Sequence, residues 1–173
     1  DDFNNGEYRN VQPNGEDIAR AFFGAYSQSI YNSPDGLLEE NIGVALYFKP
    51  AYGLQLLRDH ILGSDRFDYA LRLYISRWAY KHPTPYDFFR LMENATGEDL
   101  GWFWKGFFLT NYRLDQAVVA VDNKAENGPL VSIANLNQMA MPVVLSYVTI
   151  SGKKDTLHLP VEIWNNTAEF VVR

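Results

Sequence analysis

The sequence predicts an α+β fold. An N-terminal α-helical bundle of about five helices, residues 1–115, is followed by a small antiparallel β-sandwich-like sheet, residues 116–173. Three observations predict this division. Before Asp115 the apolar residues recur at helical spacing; after it they alternate or run in short Val-rich stretches. Of the aromatic residues, 23 lie in residues 1–115 and only 3 in residues 116–173, so the two parts build different cores. The turn pairs Asn127-Gly128 and Ser151-Gly152 punctuate the second part at hairpin spacing.

The elements follow in order. Residues 1–14 are polar and read as loop. Ile18, Ala21, Phe22, Tyr26 and Ile30 mark a first helix, opened by Glu16 and Asp17, whose charges suit the positive end of a helix dipole. Asn32 to Gly36 is a turn. A second helix is expected to begin at Pro50, because proline at the first helical position sacrifices an N–H that has no intrahelical partner. Proline also biases Lys49 away from helical angles, which places Tyr47 just ahead of the helix. Leu54, Leu57 and Ile61 form its stripe and Gly63 stops it. A third helix is expected from the cap Ser64 through Phe67, Leu71, Tyr74 and Trp78 to His82-Pro83. A fourth starts at Thr84 with Pro85 first and Asp87 third, and presents Phe88, Leu91 and Met92. Thr96-Gly97-Glu98-Asp99 is expected to open a fifth, whose Trp102, Phe103, Trp104, Phe107 and Phe108 cover most of the circumference and require burial. Strands are expected at Ala117 to Val121, Leu130 to Leu136, Val143 to Ile150, Leu157 to Trp164 and Glu169 to Val172.

Composition excludes several classes. The hydrophobic content of 47% is too high for a disordered chain. With no cysteine there is neither a disulfide framework nor a thiolate metal site. No apolar run approaches the ~20 residues of a membrane span. A net charge of −6 argues against a nucleic-acid backbone as partner. The chain shows neither an initiator Met nor a signal-peptide pattern, so a processed or excised piece of a longer protein is expected.

Bland readings account for most polar candidates. His60, His82 and His158 are dispersed, whereas zinc needs three or four convergent donors. Glu98 and Asp99 suit a helix start, and Glu39 and Glu40 a solvated surface. The aromatic run from Trp102 cannot make one flat stacking platform, because neighbouring helical residues point in different directions. Asn94-Ala95-Thr96 and Asn165-Asn166-Thr167 match the glycosylation acceptor pattern, which is common by chance.

One ordered set of motifs is more specific. Tyr47-x-Lys49-Pro50 leads into a helix ending Leu62-Gly63; Phe67, Tyr74 and Lys81 follow, then Asp87-Phe88-Phe89, then Gly97-Glu98-Asp99-Leu100-Gly101-Trp102-Phe103-Trp104. From about Leu46 to Val121 this order resembles the aminopeptidase-N-like zinc metallopeptidases of the gluzincin group. That family usually has Gly where Pro50 stands. The resemblance implies that residues 1–115 are the helical lobe closing one side of a catalytic cleft, and that residues 116–173 open the following β-sandwich domain. It implies that Tyr47 is catalytic, its hydroxyl donating to the oxyanion of the tetrahedral intermediate, a task suited to a phenol uncharged at neutral pH. It also implies a zinc cofactor in the intact parent, held by His-Glu-x-x-His and a downstream Glu. That motif is absent here, so the isolated chain is expected to bind no zinc and to be inactive, with an upstream catalytic lobe and a peptide substrate as partners of the intact enzyme. The competing reading is a non-enzymatic α+β interaction or scaffold module that uses an aromatic patch or a sheet edge.

Overall fold

The computed structural model describes Glu16, Ala19, residues 27–126 and residues 128–173. Among these residues it is an α+β structure with four helices and two small antiparallel sheets. The expected loop over residues 1–14, most of the expected first helix and Asn127 of the first turn pair lie outside the described residues. The last position of that helix, Ile30, is described and is not helical; it packs against the helical core.

Pro50 does not start a helix. It lies inside a continuous helical stretch made of a π-helical segment Val44–Phe48, helix α1 (Lys49–Leu56) and a second π-helical segment Leu57–Leu62. Lys49 has helical angles (φ −65°, ψ −48°), so Tyr47 sits within the helix and not ahead of it. The reason is local. Proline has no N–H to give and its ring crowds the preceding turn, which normally kinks or breaks a helix. Here the ladder has already widened, with the Lys49 N–H donating to the Val44 carbonyl, five residues back. Gly63 (φ 80°, ψ 153°) ends the stretch in a conformation that side chains rarely adopt.

Helix α2 (Ser64–Trp78) follows directly, with Gly63 and not Ser64 in the capping position. A forked ion pair ties it to the preceding segment: Arg58 Nε and Nη2 donate to the two Asp68 carboxylate oxygens at 2.7 and 2.9 Å. The pairing holds the Asp68 carboxyl below its ordinary range, chiefly through the hydrogen bond from Arg58. Helix α2 ends at Trp78, short of His82-Pro83, and the chain reverses through Tyr80, which has φ 61°. Helix α3 (Pro85–Thr96) starts as its sequence predicts. The Thr84 hydroxyl and backbone N–H both donate to Asp87 Oδ2, at 2.7 and 2.8 Å. These two bonds, the hydroxyl's first, hold the Asp87 carboxyl below the usual range.

Thr96 and Gly97 close α3 and do not open the next helix. The Thr96 hydroxyl donates to the Met92 carbonyl at 2.8 Å, and Gly97 (φ 71°) takes the left-handed capping conformation. The last helix, α4 (Gly101–Phe103), runs on as the π-helical segment Trp104–Leu109. Two carboxylates receive backbone N–H groups at its start: Glu93 accepts from Leu100 at 3.2 Å and Asp99 from Gly101 at 3.0 Å. Glu98 pairs instead with Arg66.

The helical core is aromatic. Phe103, Trp104, Phe107 and Phe108 are buried, as the crowded apolar circumference predicts, while Trp102 is half-buried. Trp104 stacks on Phe89 of α3 (centroids 4.5 Å apart, planes at 16°), and Phe103 stacks on Phe107 (5.5 Å, 12°). Against α1 the contact is closer still. A Cβ at Gly53 would lie 2.5 Å from Phe107 Cε1, so only glycine lets the two segments meet.

The strands form two separate sheets. Strands β1 (Gln116–Asp122), β2 (Leu130–Asn135) and β5 (Glu169–Val172) pair antiparallel in the order β1-β2-β5; β3 (Val143–Val148) and β4 (Lys154–Leu159) form a hairpin. A bulge at Val119 shifts the β1–β2 register. The expected strand from Leu157 to Trp164 stops at Leu159. Pro160 has no N–H for a ladder, and Val161–Trp164 turns as a 3-10 helix. Ile133, Leu159 and Trp164 form the buried centre of a small core in the strand region. The β2–β3 connection joins both cores. Met139 and Met141 bury their side chains among the helices, while the Met141 carbonyl accepts from Trp164 Nε1 at 2.9 Å and Gln116 Nε2 at 3.0 Å.

Gly53→Ala is expected to destabilise the protein by about 1–3 kcal/mol in urea unfolding, and Phe107→Leu in the same chain to recover part of that loss. Equal stability of Gly53→Ala and the parent chain would show that the helices can separate without cost.

Candidate functional site

Tyr47 and Lys49 belong to one motif but face opposite ways. Two residues apart on a helix, they project from roughly opposite sides. Tyr47 is 68% exposed, whereas Lys49 is 5% exposed. The chain from Leu38 to Phe48 carries further exposed apolar residues: Leu38, Ile42, Leu46 and Phe48. Ile42 and Leu46 lie four residues apart, so they share a face. Leu46 and Phe48, next to Tyr47 in the chain, point in other directions around the helix, and single exposed apolar residues of this kind are ordinary.

Lys49 lies on the buried side, with Nζ 5.9 Å from the centre of the Phe107 ring. Burial pushes its ammonium down from the ordinary 10.5 to about 8. It lines a cavity of about 310 Å³ with Tyr52, Phe107, Arg113, Met139 and Met141. Tyr47 does not line this cavity. In the sequence Lys49 stands out only as a letter of the motif. Its position opposite Tyr47 was the available signal, but it becomes legible only when the helix continues through Pro50.

The other candidates stay apart. His60, His82 and His158 are all exposed, and among the described residues no group of three His, Cys, Asp or Glu side chains could hold a metal ion. Glu39 and Glu40 lie in an exposed 3-10 turn. Asn94 lies in α3, and Asn165 follows the Val161–Trp164 turn. Among the described residues no helix is long and apolar enough to cross a membrane. No protein-family model matches the chain, and no curated protein shows significant similarity to it.

The Lys49 shift carries a sign. Below pH 8 both folded and unfolded chains hold the proton, and the folded state bears the full cost of the buried charge. Between about 8 and 10.5 only the unfolded chain remains protonated, so stability rises with pH; above 10.5 the cost is gone. Lys49→Met is therefore expected to be more stable than the parent chain at pH 7 by up to about 3 kcal/mol, with the difference vanishing above that range. Urea unfolding of both proteins across pH 7–11 checks this; a Lys49→Met protein less stable at pH 7 contradicts it.

Proposed function

We propose that the chain is the C-terminal part of a zinc metallopeptidase of the aminopeptidase-N-like group, with Tyr47 as its oxyanion-stabilising residue. The observation that carries this reading is the exposed phenol of Tyr47, on the side of its helix opposite the buried Lys49. A donor must reach a substrate held by another part of the enzyme, which an exposed hydroxyl can do. The ordered motifs from Tyr47 to Trp104 support the same assignment. In this reading residues 1–115 are the helical lobe of the catalytic domain, completed as a bundle of about five helices. Residues 116–173 begin a β-sandwich domain. An upstream lobe supplies the zinc ligands, and zinc polarises the scissile carbonyl of a peptide substrate. Tyr47 donates its hydroxyl hydrogen to the oxygen that becomes negative, a contribution of roughly 3 kcal/mol to the transition state. The chain alone, without those ligands, is inactive.

The exposed apolar residues Leu38, Ile42, Leu46 and Phe48 suit instead a non-enzymatic α+β interaction module. The two readings separate on the parent sequence: His-Glu-x-x-His followed by a Glu about twenty residues later belongs only to the peptidase.

In the zinc-loaded parent, Tyr47→Phe is expected to lower kcat for an aminoacyl-anilide about 10²–10³-fold while changing stability by less than about 0.5 kcal/mol. Unchanged turnover would remove Tyr47 from the mechanism. For the 173-residue chain by itself, the expected result is no zinc-dependent hydrolysis of the same anilide.

A further inference from the structure

We propose that the cavity beneath Lys49 is a binding site for a small organic carboxylate with an aromatic or branched apolar body. The site stands independently of the peptidase reading, because the cavity lies on the side of the helix away from Tyr47.

Three features of the cavity define the ligand. Size comes first: about 310 Å³ falls at the lower end of the range for small-molecule pockets. The second is wall chemistry. Tyr52, Leu56, Phe107, Met139 and Met141 make the lining largely apolar and aromatic, and methionine adapts to the shape of an apolar guest. The third is charge. Among the described lining residues Lys49 and Arg113 are cationic and none is acidic, on a chain whose net charge is −6. An anionic head with an apolar body meets both conditions, whereas a cation or a strongly polar sugar meets neither.

The two cations occupy different depths. Lys49 is buried over the Phe107 ring, while Arg113 is exposed on the loop that leads from the last helical segment to β1. That loop is anchored to the β2–β3 connection by the bond from the Met139 N–H to the Arg113 carbonyl, 3.2 Å. A carboxylate entering from the loop side would meet Arg113 first and Lys49 deeper in the cavity. Both residues already have partners within the protein. An ammonium carries three donors and a guanidinium five, so a carboxylate joins those partners and need not replace them. Burial disfavours the Lys49 ammonium, and a carboxylate beside it favours the charged form.

The test uses phenylacetate as probe and phenylacetamide as its neutral isostere, titrated into the 173-residue chain by calorimetry and followed by the methyl NMR signals of Met139 and Met141. The expected result is one-to-one binding of phenylacetate with a Kd on the order of 1 mM or tighter, with shifts at both methyl groups. Phenylacetamide, and phenylacetate with Lys49→Met, are each expected to bind at least about tenfold more weakly. Arg113→Gln, on an exposed loop, supplies a second variant in which weakened binding is expected without loss of fold. Absence of binding, equal affinity for the acid and the amide, or unchanged affinity in both variants overturns the proposal.

Discussion

The close approach of Phe107 to Gly53 sets the arrangement of the helical part. Phe107 fills the space that any side chain at position 53 would occupy, and its ring also lies under the Lys49 ammonium. Its neighbours Phe103, Trp104 and Phe108 carry the same segment into α3 through the stack of Trp104 on Phe89. A Cβ at Gly106 would lie 3.3 Å from Met139 Cγ, so this segment also abuts the β2–β3 connection. One short helical segment thus meets α1, α3 and the chain that leads between the sheets. The two glycines let the Phe107 ring and the Met139 side chain pack directly against backbone.

The motif around Pro50 shows how a local constraint can be met without ending a helix. The bond from the Lys49 N–H to the Val44 carbonyl widens the turn ahead of the proline, and the helix continues. Because it continues, Tyr47 and Lys49 occupy opposite sides of one helix. The exposed side carries a phenol; the buried side carries an amine above an aromatic ring. A break at Pro50 would have left their relation to chance. The helix therefore separates two chemistries that the sequence places two residues apart.

The strand part meets the helical core through Met139 and Met141. Their side chains complete the helical core, while the Met141 carbonyl receives donors from Gln116 and Trp164. This explains why the β2–β3 connection carries apolar residues where a polar loop would be usual. A boundary drawn near Asp115 by composition separates the secondary-structure types, but the buried contacts cross it.

Much of the local structure was legible in residues 64–159. Thr84-Pro85-x-Asp87 marked a helix start, Gly63 just ahead of that range marked the end of the stretch before α2, and Val-rich runs marked strands, because each depends on the residue's own backbone preference or hydrogen-bonding group. The aromatic run from Trp102 announced burial for the same local reason, since no helix face could hold so many rings in water. The motif order singled out Tyr47 without showing what surrounds it. Tertiary structure decided the rest: the passage of the helix through Pro50, the division of the strands into two sheets, and the burial of Lys49 beside Phe107 and two methionines from the far side of β2 in the chain. Those outcomes depend on which surfaces meet, and residue preferences carry no information about a neighbour that is distant in sequence.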